Sequence, residues 1–164
     1  MRALTTEEFD PFIEGLDYPV FVVTASSGEE ADGCLVGFAT QASIDPPRLL
    51  VCLSVANRTF RVAQGTEFLA VHVLAADQHG LAEHFGGETG DEVDKLAGVP
   101  WHPGPDGVPL LDDLPRYVVG RVLSRTPFGD HVGHLLEPVS ESVDSSEQAL
   151  TLQDADDITA GHPA

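Results

Sequence analysis

The apolar stretches of this chain are all strand-length, and each is cut off by turn-forming residues. Such a chain cannot build long amphipathic helices or a bilayer-spanning helix, so its core has to come from short extended segments. The segments are VFVVTAS from Val20 to Ser26, Cys34 to Thr40, RLLVCLS from Arg48 to Ser54, FLAVHVL from Phe68 to Leu74, Tyr117 to Ser124 and His131 to Val139. SGEEADG between the first two, and TPFGD between the last two, are short enough for hairpins, which makes the pairing antiparallel. Helical spacing is confined to short pieces. Thr5 and Glu8 are spaced as a capping box for a helix to Leu16, with Phe9, Phe12, Ile13 and Leu16 on one face. Asn57 is placed to cap a helix through Ala63, and Asp77 one over Gln78 to Phe85; Thr89 and Glu92 suggest a further capping box for a helix ending near Leu96. Gly98 to Pro115 reads as a long loop around Trp101. Six short strands with few helices predict a mainly β (α+β) antiparallel fold closed into a small barrel, not a doubly wound sheet. There is no GxGxxG and no P-loop.

At 164 residues the chain has room for one real core. We place the domain at residues 1–142, with an acidic C-terminal tail, open to partial order, over 143–164. Eight basic residues against 27 acidic ones give a formal charge of −19, which repels nucleic acid and anionic lipid. The N-terminal MRALTTEEFDPF is acidic and interrupted by Pro, unlike a signal peptide, so a cytoplasmic location is expected. Cys34 and Cys52 lie in apolar strands without CxxC spacing and read as buried thiols.

Three segments could carry chemistry. In GFATQASIDPP, from Gly37 to Pro47, a strand ends in small and hydroxyl residues before a double proline. It could offer Thr40, Ser43 and free backbone groups to the edge of a flat heterocycle, or simply close a hairpin. In SVANRTFR, Ser54, Asn57 and Thr59 gather at a helix start with Arg58 and Arg61, two of the eight basic residues. That suits an anion, or an ordinary capped helix with two solvent-facing arginines. In FGDHVGH a Gly-Asp turn sets His131 at the start of a strand, and the i, i+3 spacing to His134 puts the two on opposite faces, against a metal pair. Trp101 reads as a core plug or a ring-stacking residue, and Lys95 as a helix partner of Glu92.

The ordered series GCLVGFATQASIDPPRLLVCLS, NRTF, FLAVHVLAADQHGLAEHFGG, DKLAGVPWHPGPDGVPLL and GDH resembles the flavin reductase-like domain family, over about residues 15 to 140. The resemblance implies a six-stranded Greek-key split barrel with short flanking helices, binding FMN (or FAD) and usually dimeric. It implies that Phe38, Ala39, Thr40, Gln41, Ala42 and Ser43 line the isoalloxazine, that Ser54, Asn57, Arg58 and Thr59 hold the ribityl phosphate, and that His131 lies beside flavin and nicotinamide. Members often read NSFTSVS where this chain has GFATQAS, so Gly37, Phe38 and Gln41 replace hydroxyl and amide side chains. The implied activity is hydride transfer from NAD(P)H to flavin, with a monooxygenase as a partner for the reduced flavin. An FMN-binding electron carrier without efficient NAD(P)H oxidation is the alternative. A barrel holding another flat ring such as haem is a third reading, which no histidine spacing recommends.

Overall fold

The computed structural model describes residues 1–144 and 147–162. Its helices are α1 (Thr6–Ile13), α2 (Arg58–Ala63) and α3 (His79–Gly87). Its strands are β1 (Phe21–Ser26), β2 (Ala31–Val36), β3 (Ala39–Ser43), β4 (Arg48–Ser54), β5 (Phe68–Val73), β6 (Trp101–Pro103), β7 (Pro109–Leu111), β8 (Arg116–Pro127) and β9 (His131–Val143). Seven strands make one antiparallel sheet in the order β2-β1-β5-β8-β9-β4-β3, and β6 and β7 form a separate ribbon. The mainly β, antiparallel class expected from the sequence is therefore the observed one. Among the described residues no helix is long and apolar enough to cross a membrane.

The two edge strands, β2 and β3, are consecutive in the chain, with only Gly37 and Phe38 between them. The sheet must curl until its edges meet at that corner. Inside the curl lie Val23, Cys34, Val51, Leu53, Leu69, Val71 and Leu136, closed over by Val62 and Ala63 of α2. A second core, with Val20, Val22, Leu74, Leu111 and Phe85 of α3, packs on the other face of β1. Strand β1 is buried on both faces, which is why VFVVTAS is continuously apolar instead of alternating.

Several expectations are corrected. The Cys34 to Thr40 segment is two strands, not one, because the chain has to leave one edge of the sheet and join the other. With the ribbon, this raises the strand count above six. Strands β8 and β9 run past the expected Ser124 and Val139, since mostly exposed residues continue the ladder at the C-terminal end of each. The 89–96 helix does not form. Thr89 Oγ1 accepts from the Asp91 N–H at 3.3 Å and Asp94 Oδ1 from the Leu96 N–H at 3.1 Å, and these side-chain turns compete with helix. Gly90 packs so closely on Asp32 that a Cβ there would strike the carboxylate. α3 starts after Gln78 rather than Asp77, and the Gln78 side chain braces the turn by accepting from Ala75 N–H at 2.8 Å and donating to the Asp113 carbonyl at 2.7 Å. The Gly98 to Pro115 loop contains the β6–β7 ribbon, and Trp101 is partly exposed instead of plugging the core.

α1 carries the expected capping box but ends at Ile13, and none of its residues is buried. The C-terminal segment is not a surface tail throughout. Ala149 bridges to Ala75, Thr151 bridges to Pro19, and Leu150 is buried in the second core.

Candidate functional site

The corner at Gly37 and Phe38 leaves a cavity of about 310 Å³ between the ends of β2 and β4, the start of β9 and the C-terminal segment. Its walls are mainly apolar, from Val36, Leu53, Leu152, Ala155 and Ile158, and its hydrogen-bonding side chains are Ser54, Asn57, His131 and His162. A second hollow of about 320 Å³ adjoins it, sharing Gly37, Phe38 and Cys52 and adding Ala39, Thr40, Leu50 and Tyr18. Space of this size with few polar groups suits a flat aromatic ligand.

His131 opens β9 directly across from Ser54, the last residue of β4. The turn before it is tied by Phe128 N–H to the His131 carbonyl at 2.8 Å and by Val55 N–H to the Asp130 carbonyl at 3.0 Å. Gly129 in that turn has φ 126°, a conformation that L side chains rarely adopt. The His131 ring is oriented by Nδ1 to Asp130 Oδ1 at 2.7 Å, and that bond holds the Asp130 carboxyl below its ordinary range. The Phe38 ring, half-exposed at the corner, lies 4.9 Å from it, centroid to centroid. Asn57 caps α2 as expected, its Oδ1 accepting the Thr59 N–H at 3.0 Å, while its Nδ2 lies 3.4 Å from His162 Nε2.

Phe38, Ser54, Asn57 and His131 are thus brought together, and Ala39 and Thr40 line the adjoining hollow. Gln41, Ala42 and Ser43 continue along edge strand β3, where Gln41 Nε2 donates to the Ser43 carbonyl. Arg58 and Thr59 line neither hollow. Arg58 pairs with Glu30 and Asp32, each at 3.9 Å, and the buried Thr59 hydroxyl donates to Asp32 Oδ2 at 2.9 Å. Arg61 pairs with Asp91.

The cavity also takes in Cys34, Cys52, Gly86 and five C-terminal residues that the sequence reading did not place there. The alternation of Leu150, Leu152 and Ile158 with acidic residues was the available signal. Burial pushes the Cys34 thiol up to about 11 and raises Cys52 as well, so neither is a thiolate nucleophile at neutral pH. Among the described residues no group of three or more His, Cys, Asp or Glu is arranged to hold a metal ion.

A curled antiparallel sheet with an apolar slot at the corner joining its edges, and a few polar groups converging on it, defines a small β protein with a cavity suited to a flat ligand. The chain belongs to the flavin reductase like domain family, whose profile matches residues 13–157. It is 31% identical over 141 residues to the reductase component of FADH(2)-dependent resorcinol hydroxylase from Rhizobium sp. strain MTP-10005, covering 83% of this chain and 76% of that one. It is 32% identical over 104 residues to the flavin-dependent monooxygenase reductase subunit HsaB of Mycobacterium tuberculosis, covering 61% and 54%. The chain spans 42% of a Rhizobium meliloti relative, so about half the length, or less, of several relatives that it matches. Its fold superposes on the NADH:FAD oxidoreductase SgcE6 of Streptomyces globisporus with a TM-score of 0.82, at 22% identity over 94% of both chains.

Proposed function

We propose that the protein is a flavin reductase, binding FMN in preference to FAD in a split-barrel fold and passing hydride to it from NADH or NADPH. The observation that carries this reading is the slot itself: a corner at Gly37 and Phe38, apolar walls, and His131 held at the opening by Asp130. A bound flavin supplies hydride acceptance at its N5; the chain supplies orientation, exclusion of water and polar contacts. Phe38, Ala39 and Thr40 offer a ring face and backbone groups to the isoalloxazine, with Gln41, Ala42 and Ser43 continuing along its outer edge. Ser54 and Asn57 face the ribityl end, and Arg58 and Thr59 fix the first turn of α2 behind them through Asp32. His131 orients the nicotinamide over the flavin.

The named relatives support a monooxygenase as recipient of the reduced flavin. The bare apolar face of α1, with Phe9, Phe12 and Ile13, supports assembly as a homodimer. A cytoplasmic protein is the setting that fits this chemistry. An FMN-binding electron carrier that oxidises NAD(P)H slowly is the second reading, favoured by the commitment of Arg58 and Arg61 to carboxylates, which leaves neither for a dinucleotide phosphate.

The test is the visible spectrum of the purified protein, identification of the flavin released on heating, and steady-state oxidation of NADH and NADPH. Bound FMN with rapid oxidation is expected. His131→Ala should keep the flavin and slow hydride transfer roughly tenfold or more, as loss of an orienting contact does. A colourless protein that leaves FMN fluorescence unquenched would remove the proposal. Bound FMN with negligible turnover would favour the carrier.

A further inference from the structure

The cavity has a feature that Arg58 was expected to supply and does not: a hydrogen-bond donor able to meet an anion. Charge-bearing side chains of Arg, Lys, Asp and Glu are absent from its lining. Its polar groups are partly committed, with Asn57 Oδ1 accepting from Thr59 N–H and Ser54 Oγ accepting from Ala56 N–H at 3.3 Å. The Asn57 amide N–H₂ and the His162 ring stand together at 3.4 Å, and Asn57 is more than nine-tenths buried.

His162 reaches that place because the C-terminal segment is tied down along its length. Leu150 N–H donates to the Leu74 carbonyl at 2.8 Å, Leu152 N–H to the Tyr18 carbonyl at 2.8 Å, and Gly161 N–H to the Gly86 carbonyl at 3.1 Å. Gly161 lies so close to the Glu88 backbone that a Cβ there would collide with it. Leu152, Ala155, Ile158 and Ala160 then form one wall of the cavity and His162 its polar end.

Resting on the flavin reading, we infer that His162 is a ligand-binding residue: with the Asn57 amide it receives the phosphate of FMN, the role that charge counting assigns to Arg58. The Asn57 amide N–H points at His162 Nε2, which accepts it here. With a phosphate oxygen between them, the amide and the imidazole in the tautomer that carries its proton on Nε2 offer two donors to one phosphate group, and bonds to a charged acceptor are among the stronger ones. The C-terminal segment is in this account part of the binding site, contributing its wall and its anion contact.

The discriminating probes are FMN and riboflavin, which differ only in the phosphate. Dissociation constants are measured by fluorescence quenching for the wild type, His162→Ala and His162→Glu, with far-UV circular dichroism and thermal midpoints as folding controls. Loss of a hydrogen bond to a charged group should weaken FMN about tenfold in His162→Ala while leaving riboflavin within about twofold. His162→Glu, which places a carboxylate against the phosphate, should weaken FMN further and again spare riboflavin; it decides the matter if the alanine variant does not fold. Unchanged FMN affinity in the variants, or equal loss of FMN and riboflavin, would overturn the assignment while leaving the flavin reading intact. A wild type that binds neither probe would overturn the flavin reading itself, and this inference with it.

Discussion

His72 is a histidine whose protonation state the fold dictates. It sits fully buried in β5 with Nδ1 3.0 Å from the Val22 carbonyl and Nε2 3.1 Å from the Leu111 N–H. The first nitrogen must donate and the second accept, so the ring is neutral and joins β1 to the β6–β7 ribbon through β5. Burial lowers its pKa from the ordinary 6.5 to about 4, against the opposing bond to Val22. As pH falls from about 6.5 the unfolded chain takes up a proton that the folded protein refuses until about pH 4, so stability falls through that window. The shift corresponds to at most about 3 kcal/mol. Buried His134 adds to the loss in the same direction, burial again being the main cause. Urea midpoints taken at steps from about pH 7.5 to about pH 4.5 should therefore decline, and His72→Gln, which cannot titrate, should flatten the slope. An equal slope in both proteins would show that the loss comes from other groups.

At the scale of elements, the sequence was legible where the local signal and the tertiary environment agreed. β4 runs from Arg48 to Ser54 as read, β1 and β5 each differ from the expected span by one residue, and Asn57 caps α2. Ser54, Asn57 and His131, at strand and helix ends, fall on one cavity as their local positions suggested, whereas Phe38 was placed there only through the family resemblance. Failures fall where distant partners decide. The carboxylates that claim Arg58 lie on Glu30 and Asp32, which the sheet brings beside α2. The C-terminal wall was hidden because its acidic composition outweighed three apolar residues whose partners are over 70 residues away, such as Leu74 for Leu150. Those residues decide whether the segment stays in place. Leu150, 1% exposed and bonded through its backbone to both Val20 and Leu74, should cost about 2–5 kcal/mol when cut to alanine. Denaturant unfolding of Leu150→Ala measures it. A loss below about 1 kcal/mol would mean that the segment packs on the barrel without contributing to its cooperative unit.

For the whole molecule, the dominant fact is a formal charge of −19 on a chain proposed to bind an anion. On the proposed reading, FMN would approach a surface that repels it at long range and would meet favourable groups only at contact, where Asn57 and His162 lie. The basic residues do little to offset this at a distance, since Arg58, Arg61 and Arg121 are each paired with carboxylates. Screening should then help binding instead of hindering it. Raising salt from about 0.01 M to about 0.15 M shortens the Debye length from roughly 30 Å to roughly 8 Å, which removes most of the long-range repulsion and leaves contacts in the cavity largely intact. Stopped-flow association of FMN should accelerate several-fold over that range. Riboflavin, which lacks the phosphate charge, should change little. This sign is opposite to that of a protein that steers its anionic ligand with a basic surface. An FMN on-rate that falls with salt would place a positive local field at the opening and make the cavity groups, not the net charge, the determinant of capture.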